Sequence, residues 1–267
     1  MIKIFLLVVL SFSLINISAQ TALTNSGAKN EALGSPVSIP GDEWALWRNP
    51  AGLTLIDKPI ASSSIRRSSA TNVLSRSALL AGSAKALSAG VGVASFGDEI
   101  YNENTVSLAL ANTLGLASIG IRGDITQLRI DGTPPRHAFG ITIGCIARIT
   151  HRLSIGITAR NINLPAWARG QPLPVVLNTG VAYTPGDNFL LAAEVEKYTD
   201  FDPTLKGGFE YSVRKKFFFR TGFNLFPNNG FGGVGLRMWR LAVDYALKFG
   251  YLPGYSQQLS LTFQLRR

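Results

Sequence analysis

From about residue 58 onward, apolar and polar side chains alternate with period two. In His137–Arg148 one face reads Phe139, Ile141, Ile143, Cys145 and Ala147, and the other Gly140, Thr142, Gly144, Ile146 and Arg148. Leu153, Ile155, Ile157 and Ala159 oppose Ser154, Gly156, Thr158 and Arg160. Leu241, Val243, Tyr245, Leu247 and Phe249 oppose Ala242, Asp244, Ala246 and Lys248. Near the end, Leu259, Leu261, Phe263 and Leu265 oppose Ser260, Thr262 and Gln264. Side chains of a strand point alternately to its two faces, so this pattern predicts strands with one apolar face. It predicts them at Ile60–Ser68, Ser77–Ala84, Ser88–Phe96, Thr105–Leu114, Leu116–Ile130, His137–Ile149 and Leu153–Asn161. Seven more follow at Val175–Tyr183, Phe189–Glu196, Thr204–Tyr211, Phe217–Asn224, Gly232–Met238, Arg240–Phe249 and Gln257–Leu265.

About fourteen strands is an even number, as a closed antiparallel barrel requires, and about 15 residues per strand with its connection leaves room for the ~9–11 that a tilted membrane strand uses. The connections alternate in length. Short ones fall at Leu114–Leu116, Thr150–His151, Pro185–Asn188, Arg214–Lys216 and Trp239. Longer ones fall at Gly97–Asn104, Asp131–Arg136, Ile162–Pro174, Lys197–Pro203, Leu225–Phe231 and Gly250–Ser256. Short turns at one end and longer loops at the other are the habit of outer-membrane barrels. The expected fold is therefore all-β: a transmembrane antiparallel β-barrel of about 14 strands.

The first 57 residues break the alternation. Met1-Ile2-Lys3 is a short basic start, Ile4–Leu14 is apolar, and Ala19 is a small residue before Gln20. This is the layout of an export signal cleaved after Ala19. Residues 20–57 are small, polar and punctuated by Pro36, Pro40 and Gly41. Asp42 and Glu43 read as a helix start, Trp44–Trp47 as a short helical stretch, and Asn49-Pro50 as its end. Ala51-Gly52 reads as a tight turn. Trp44, Trp47 and Leu53 are too apolar to leave in water, and the barrel interior is the shelter available, since the outer face is committed to lipid. The domains expected are 1–19 as signal peptide, 20–57 as an N-terminal hatch, and 58–267 as the barrel. The hatch residues singled out are Trp44, Trp47, Asn49, Pro50, Ala51, Gly52 and Leu53.

Composition narrows the classes. Charged residues make up 16% of 267, and net charge is +10, against ~25% charged in average soluble proteins. Cys145 is the sole cysteine, which excludes an internal disulfide and cysteine-based zinc clusters. Gly230-Phe231-Gly232-Gly233-Val234-Gly235 matches Gly-x-Gly-x-x-Gly, but a strand rather than a helix follows it, so these glycines read as lumen-facing or turn residues. His137 and His151 sit at strand ends with no nucleophile or acid set beside them. Arg214-Lys215-Lys216 is a basic turn suited to solvent or lipid phosphate. Trp167 and Trp239 suit an interfacial aromatic belt. The expectation is a non-enzyme with no cofactor, no metal and no nucleic-acid partner.

Period alone turns a set of charges inward: Arg122, Asp124, Arg148, Arg160, Glu194, Glu196, Lys206, Glu210, Arg220, Arg237, Asp244 and Lys248. Opposite signs fall on neighbouring strands, with Glu194/Glu196 beside Lys206, Glu210 beside Arg220, and Arg237 beside Asp244. Such a set serves either as a polar path for solute or as an ion-pair lattice filling the barrel. The local balance of signs favours the lattice, since an unpaired charge in a narrow lumen is costly.

Asn49-Pro50-Ala51-Gly52-Leu53, after Asp42-Glu43 and before the first strand, resembles the signature of FadL-type outer-membrane barrels. Ala94–Glu99 and Ala193–Lys197 resemble the PorV/PorQ branch of that superfamily. The resemblance implies a hatch folded inside a 14-stranded barrel in the outer membrane. It implies one of two functions: an accessory or structural part in type IX protein export and cell-surface assembly, or, as the alternative, passive transport of small hydrophobic molecules. The partners it implies are outer-membrane lipid and lipopolysaccharide, secretion-system or cell-surface proteins, and a small hydrophobic ligand.

Overall fold

The computed structural model describes residues 27–265 except 70, 72, 85, 86, 169, 170, 200 and 251–253. The expected signal peptide, and residues 20–26 of the expected hatch, lie outside the described residues. The strands are β1 (Ile60–Ser68), β2 (Leu74–Ala84), β3 (Leu87–Gly97), β4 (Tyr101–Leu114), β5 (Ala117–Ile130), β6 (Arg136–Arg148) and β7 (Leu153–Arg160). A small hairpin, β8 (Ala166–Ala168) and β9 (Gln171–Pro172), follows. The wall resumes with β10 (Val176–Gly186), β11 (Phe189–Tyr198), β12 (Thr204–Val213), β13 (Phe217–Asn224), β14 (Asn229–Met238), β15 (Leu241–Gly250) and β16 (Tyr255–Gln264). Fourteen strands form one closed antiparallel barrel in chain order, with β7 beside β10 and β1 paired to β16 across the seam.

Alternation makes the two faces unlike. On β6, Thr142 is 2% exposed while Ile143 beside it is 41% exposed. The outer face is carried by Leu, Ile, Val and Phe, and the inner face by Ser, Thr, Gly and charged residues. An apolar outside with a polar inside inverts the usual arrangement of a globular protein and matches a wall standing in lipid. The connections at the end holding both the start of β1 and the end of β16 are tight. Trp239, 86% exposed, sits in one of them with the Arg240 guanidinium 4.9 Å from its ring centre. The connections at the other end are longer, and one of them, residues 161–175, holds the β8–β9 hairpin and the half-buried Trp167.

Three strand starts differ from the pattern. β2 begins at Leu74, earlier than Ser77, because exposed Arg76 occupies an outward position where the pattern asks for an apolar residue. β4 begins at Tyr101 rather than Thr105, since Asp98 Oδ1 accepts from the backbone N–H of Ile100 and Tyr101, both at 2.9 Å, and closes a tight turn. The glycine-rich run predicted from Gly232 is strand from Asn229 onward.

Inside the wall lie helix α1 (Ala28–Ala32), helix α2 (Ala45–Arg48) and a 3₁₀ helix at Pro50–Leu55. Each is too short to stand alone in water, and their residues are almost all buried. The largest apolar cluster of the molecule joins Trp44, Leu46, Trp47, Leu53 and Ile56 of this inner segment to Ile60, Leu79, Ala109 and Ala111 of β1, β2 and β4.

Candidate functional site

The inner segment crosses the lumen and touches the wall along its length. The Ala28 N–H donates to Ser260 Oγ of β16 at 2.7 Å. Gly34 and Ser35, at φ +71° and +65°, then turn the chain. The Val37 N–H donates to Glu194 Oε2 at 2.5 Å, and Ser154 Oγ donates to the Ser38 carbonyl at 2.8 Å. Gly41, again left-handed at φ +67°, leads into Asp42. Asp42 accepts from the Asn30 amide at 2.5 Å and from the Trp44 N–H at 3.2 Å, tying the two helix-bearing halves together.

The Asn49-Pro50-Ala51-Gly52 stretch works differently from the turn its composition suggests. Asn49 Oδ1 accepts from the Ala51 N–H at 3.2 Å and caps the 3₁₀ helix, whose first position Pro50 fills without losing a hydrogen bond. Asn49 Nδ2 donates to the Val37 carbonyl of the inner segment and to the Cys145 carbonyl of β6, both at 3.0 Å. One side chain therefore caps a helix, ties the segment to itself and ties it to the wall. Gly52 serves close approach rather than a turn: a Cβ there would lie 3.0 Å from Ala45 Cβ.

A closed polar circuit anchors the α2 half. Arg122 of β5, 1% exposed, is paired with Asp124 at 2.9 Å. Its Nη1 donates to the Leu46 and Trp47 carbonyls at 3.0 and 2.9 Å, and its Nη2 to Thr142 Oγ1 at 3.1 Å. Trp47 Nε1 donates to Ser107 Oγ at 3.0 Å, and Ser107 Oγ donates to Asp124 at 2.6 Å. The circuit runs from Trp47 through Ser107, Asp124 and Arg122 back to Trp47. It leaves a buried guanidinium donating from all three of its nitrogens, the condition under which a buried charge is tolerable.

The opposite half is ionic. Lys206 Nζ stands 2.7 Å from Glu196 Oε2, and Asn178 Nδ2 bridges Glu194 and Glu196 at 2.7 and 2.9 Å. Arg220 holds both Glu210 and Asp244, at 2.5 and 2.6 Å. Arg237 does not take Asp244 as its partner. It reaches Glu43 of the inner segment instead, because Arg220 already occupies Asp244. Glu43 also binds Lys29 at 3.2 Å. Burial pushes the Glu43 carboxyl up, but Lys29 and Arg237 overcome it and hold its pKa at about 2. Burial drives the Asp42 carboxyl the other way, above the usual carboxylate range, against the pull of Lys29.

Among the other inward candidates, Arg160 and Lys248 are half-buried, and Lys248 Nζ lies 5.7 Å from the centre of the Phe231 ring. Arg148 departs from its expected place in the lumen. It keeps the inward parity of β6 but is exposed, because it is the last residue of the strand and lines a small cavity at the barrel mouth with Leu55, Ser118 and Ile146.

Sequence reasoning missed the sockets that receive the inner segment. A Cβ built on Gly92 would lie 2.6 Å from Trp47 Cζ2, on Gly144 2.8 Å from Pro50 Cδ, on Gly156 2.6 Å from Ser38 Cα, and on Gly222 2.7 Å from the Leu33 carbonyl carbon. All four point inward, on β3, β6, β7 and β13. Glycine weakens a strand, so inward glycine at these places marks where another part of the chain presses against the wall. The signal was present as an excess of glycine, 27 in 267 residues. It named no partner. Arg48 was also passed over: it is 8% exposed and lies in the fields of Glu194 and Glu196.

No family model matches this chain, and no curated protein matches it. Solved structures do. The CymD monoaromatic hydrocarbon channel superposes with a TM-score of 0.73 at 12% identity, over 92% of this chain and 99% of that one. The Pseudomonas putida toluene transporter TodX gives 0.71 at 11% identity, over 92% and 100%. A Pseudomonas aeruginosa FadL homologue gives 0.69 at 12%, over 90% and 98%. At such identities the likeness is one of fold: this chain has the architecture of the FadL-type barrels. The finer likeness to the PorV/PorQ branch finds no counterpart among these structures.

Proposed function

We propose that this protein is an outer-membrane channel of FadL-like type, through which small hydrophobic molecules cross passively. The observation that carries the reading is a closed 14-strand barrel with an internal hatch, an architecture shared almost end to end with structures described as hydrocarbon channels. The apolar outer belt and the tight turns at the terminal end support placement in the outer membrane, with the terminal end in the periplasm.

The hatch supplies the selectivity. Its α2 half is locked by Arg122 and by the tryptophan cluster. Its α1 half is held by small contacts: Ala28 and Ala32 against Ala246, and Leu33 against the wall glycines. Gly34 and Gly41, both with left-handed backbone, flank the bridge between the halves, and the polar bonds Asn30–Asp42 and Lys29–Glu43 are what a tilt of the α1 half would have to break. A small apolar solute passes on the α1 side while the tryptophan side stays shut. The accessory reading would depend on loops that present a docking platform. Apart from residues 161–175, the connections at the loop end are short, which favours the channel.

Uptake of radiolabelled toluene by Gram-negative cells stripped of their own hydrocarbon channels is the test. Expression of this chain should raise initial uptake several-fold. Heat-modifiable, outer-membrane-located protein with uptake equal to the empty vector would reject the channel and return the accessory role.

A further inference from the structure

The outward-facing strand positions carry four charged residues among the described residues, Arg67, Arg76, Arg129 and Lys197, and every one is a cation within three residues of the loop end of its strand. Two of them meet at the seam. Arg67 lies opposite Leu74, and Ile65 opposite Arg76, so the two guanidinium-bearing positions are diagonal neighbours. Side chains so related stand about 7–8 Å apart at their bases, a spacing at which two guanidinium groups can close on one phosphate.

Beside them the wall is hollowed. A groove of about 550 Å³ runs over β2, β1, β16 and β15, lined by Ile65, Arg67, Leu74, Tyr245, Gln257 and Leu259 on its outward side. Its lining is apolar apart from its rim. Towards mid-wall the next outward rows hold Ser63 paired with Ala78, and then Ala61. Across the seam Leu261 pairs with Ser63 and Phe263 with Ala61, so larger side chains on β16 bound this strip. The groove therefore has one cation, Arg67, at its rim and an apolar floor of Ile65, Leu74, Tyr245 and Leu259, with small residues on β1 and β2 below it.

We infer that this seam is a binding site for a phosphorylated, multiply acylated glycolipid of the outer leaflet. The phosphate lies between Arg67 and Arg76, and one acyl chain lies in the groove over Ile65, Tyr245 and Leu259. The inference rests on the outer-membrane placement proposed above, not on the cargo. Charge argues for this occupant: the rim offers cations at the level of the headgroups, where an anionic head belongs. A second copy of the chain would set the two arginines against themselves.

Native mass spectrometry of the full-length protein titrated with purified lipid A provides the test. The wild type should hold one lipid A molecule at saturation. R67Q/R76Q should bind at least tenfold more weakly, and Ile65→Trp, which fills the groove and leaves both charges, should weaken binding similarly. R129Q/K197Q should bind as the wild type does. Heat-modifiable gel mobility establishes that each variant has folded. Equal loss in R129Q/K197Q would show a diffuse ring of charge and overturn the site. So would unchanged binding in R67Q/R76Q, or equal binding of phosphatidylglycerol. Toluene uptake by R67Q/R76Q should match the wild type, so failure of the channel reading leaves the lipid result standing.

Discussion

The two halves of the hatch dock against the same wall by different physics. The α2 half brings Trp44, Leu46, Trp47 and Leu53 into an apolar cluster with β1, β2 and β4, and a polar circuit through Arg122 holds the Leu46 and Trp47 carbonyls. The α1 half brings alanines and charges: Lys29 to Glu43, Glu31 within 3.8 Å of Arg66, and Ala28 to a single serine. Burial of a tryptophan removes far more apolar surface from water than burial of an alanine. The first half is thus held mainly by apolar burial, which pH hardly touches, and the second by ion pairs, which protonation can break. Within one internal plug, immobility and the capacity to yield occupy separate places.

The largest effect that should break this contrast is loss of the hatch. A variant lacking residues 27–48 should still insert and show heat-modifiable mobility, yet pass ions in planar bilayers where the full-length protein stays tight. A deletion variant that folds and remains tight would mean that the charged lumen closes itself. A smaller effect separates the halves. Arg122→Ala strands a buried Asp124 and two helix carbonyls, and should cost about 3–5 kcal/mol, the usual range for breaking a buried pair. Ala28→Gly on the other side should cost about 1 kcal/mol, the propensity difference in a helix. Urea unfolding of the two variants in detergent would measure both, and equal losses would erase the distinction.

The smallest effect is one of pH. The Glu43 carboxyl titrates near 2 instead of 4.5, so the attraction of Lys29 and Arg237 for it is complete at neutral pH. It should persist below pH 4 and disappear as pH falls towards 2. Bilayer conductance of the wild type followed from pH 7 to pH 2 should rise only at the acid end. Glu43→Gln should show the raised conductance already at neutral pH. A rise centred near pH 4.5 would mean that Glu43 is not held by its partners.

Much of the wall was legible because every strand repeats one instruction: apolar residues outward, small or polar residues inward. Leu241–Phe249 and Leu259–Leu265 state it without interruption, and β15 and β16 lie there. The rule was faintest at β1 and β2, where Ser63, Arg67, Ala78 and Arg76 stand at outward positions. That surface borders the hollowed seam, so the lapse in the pattern is itself a local specialisation. The hatch was legible only as a need to hide Trp44 and Trp47. Its path was not, because its contacts join residues far apart in the chain, as Asn49 joins Cys145, and no periodicity encodes such a meeting. The partner exchange of Arg237 was hidden for the same reason: its carboxylate came from the hatch and not from the neighbouring strand.

The order of the elements along the chain has a consequence for how the molecule is made. The hatch comes first and the closing strand β16 last, and the bond from Ala28 to Ser260 spans 232 positions of sequence. A plug whose wall glycines admit it so closely cannot be threaded into a finished cylinder. Rolling the cylinder around it leaves one edge of β1, paired with β2 on its other side, open until β16 arrives. Contacts so distant in sequence form slowly, and until the seam zips the hatch has a mould open along one side. The seam is thus the last place in the molecule to become protein rather than edge.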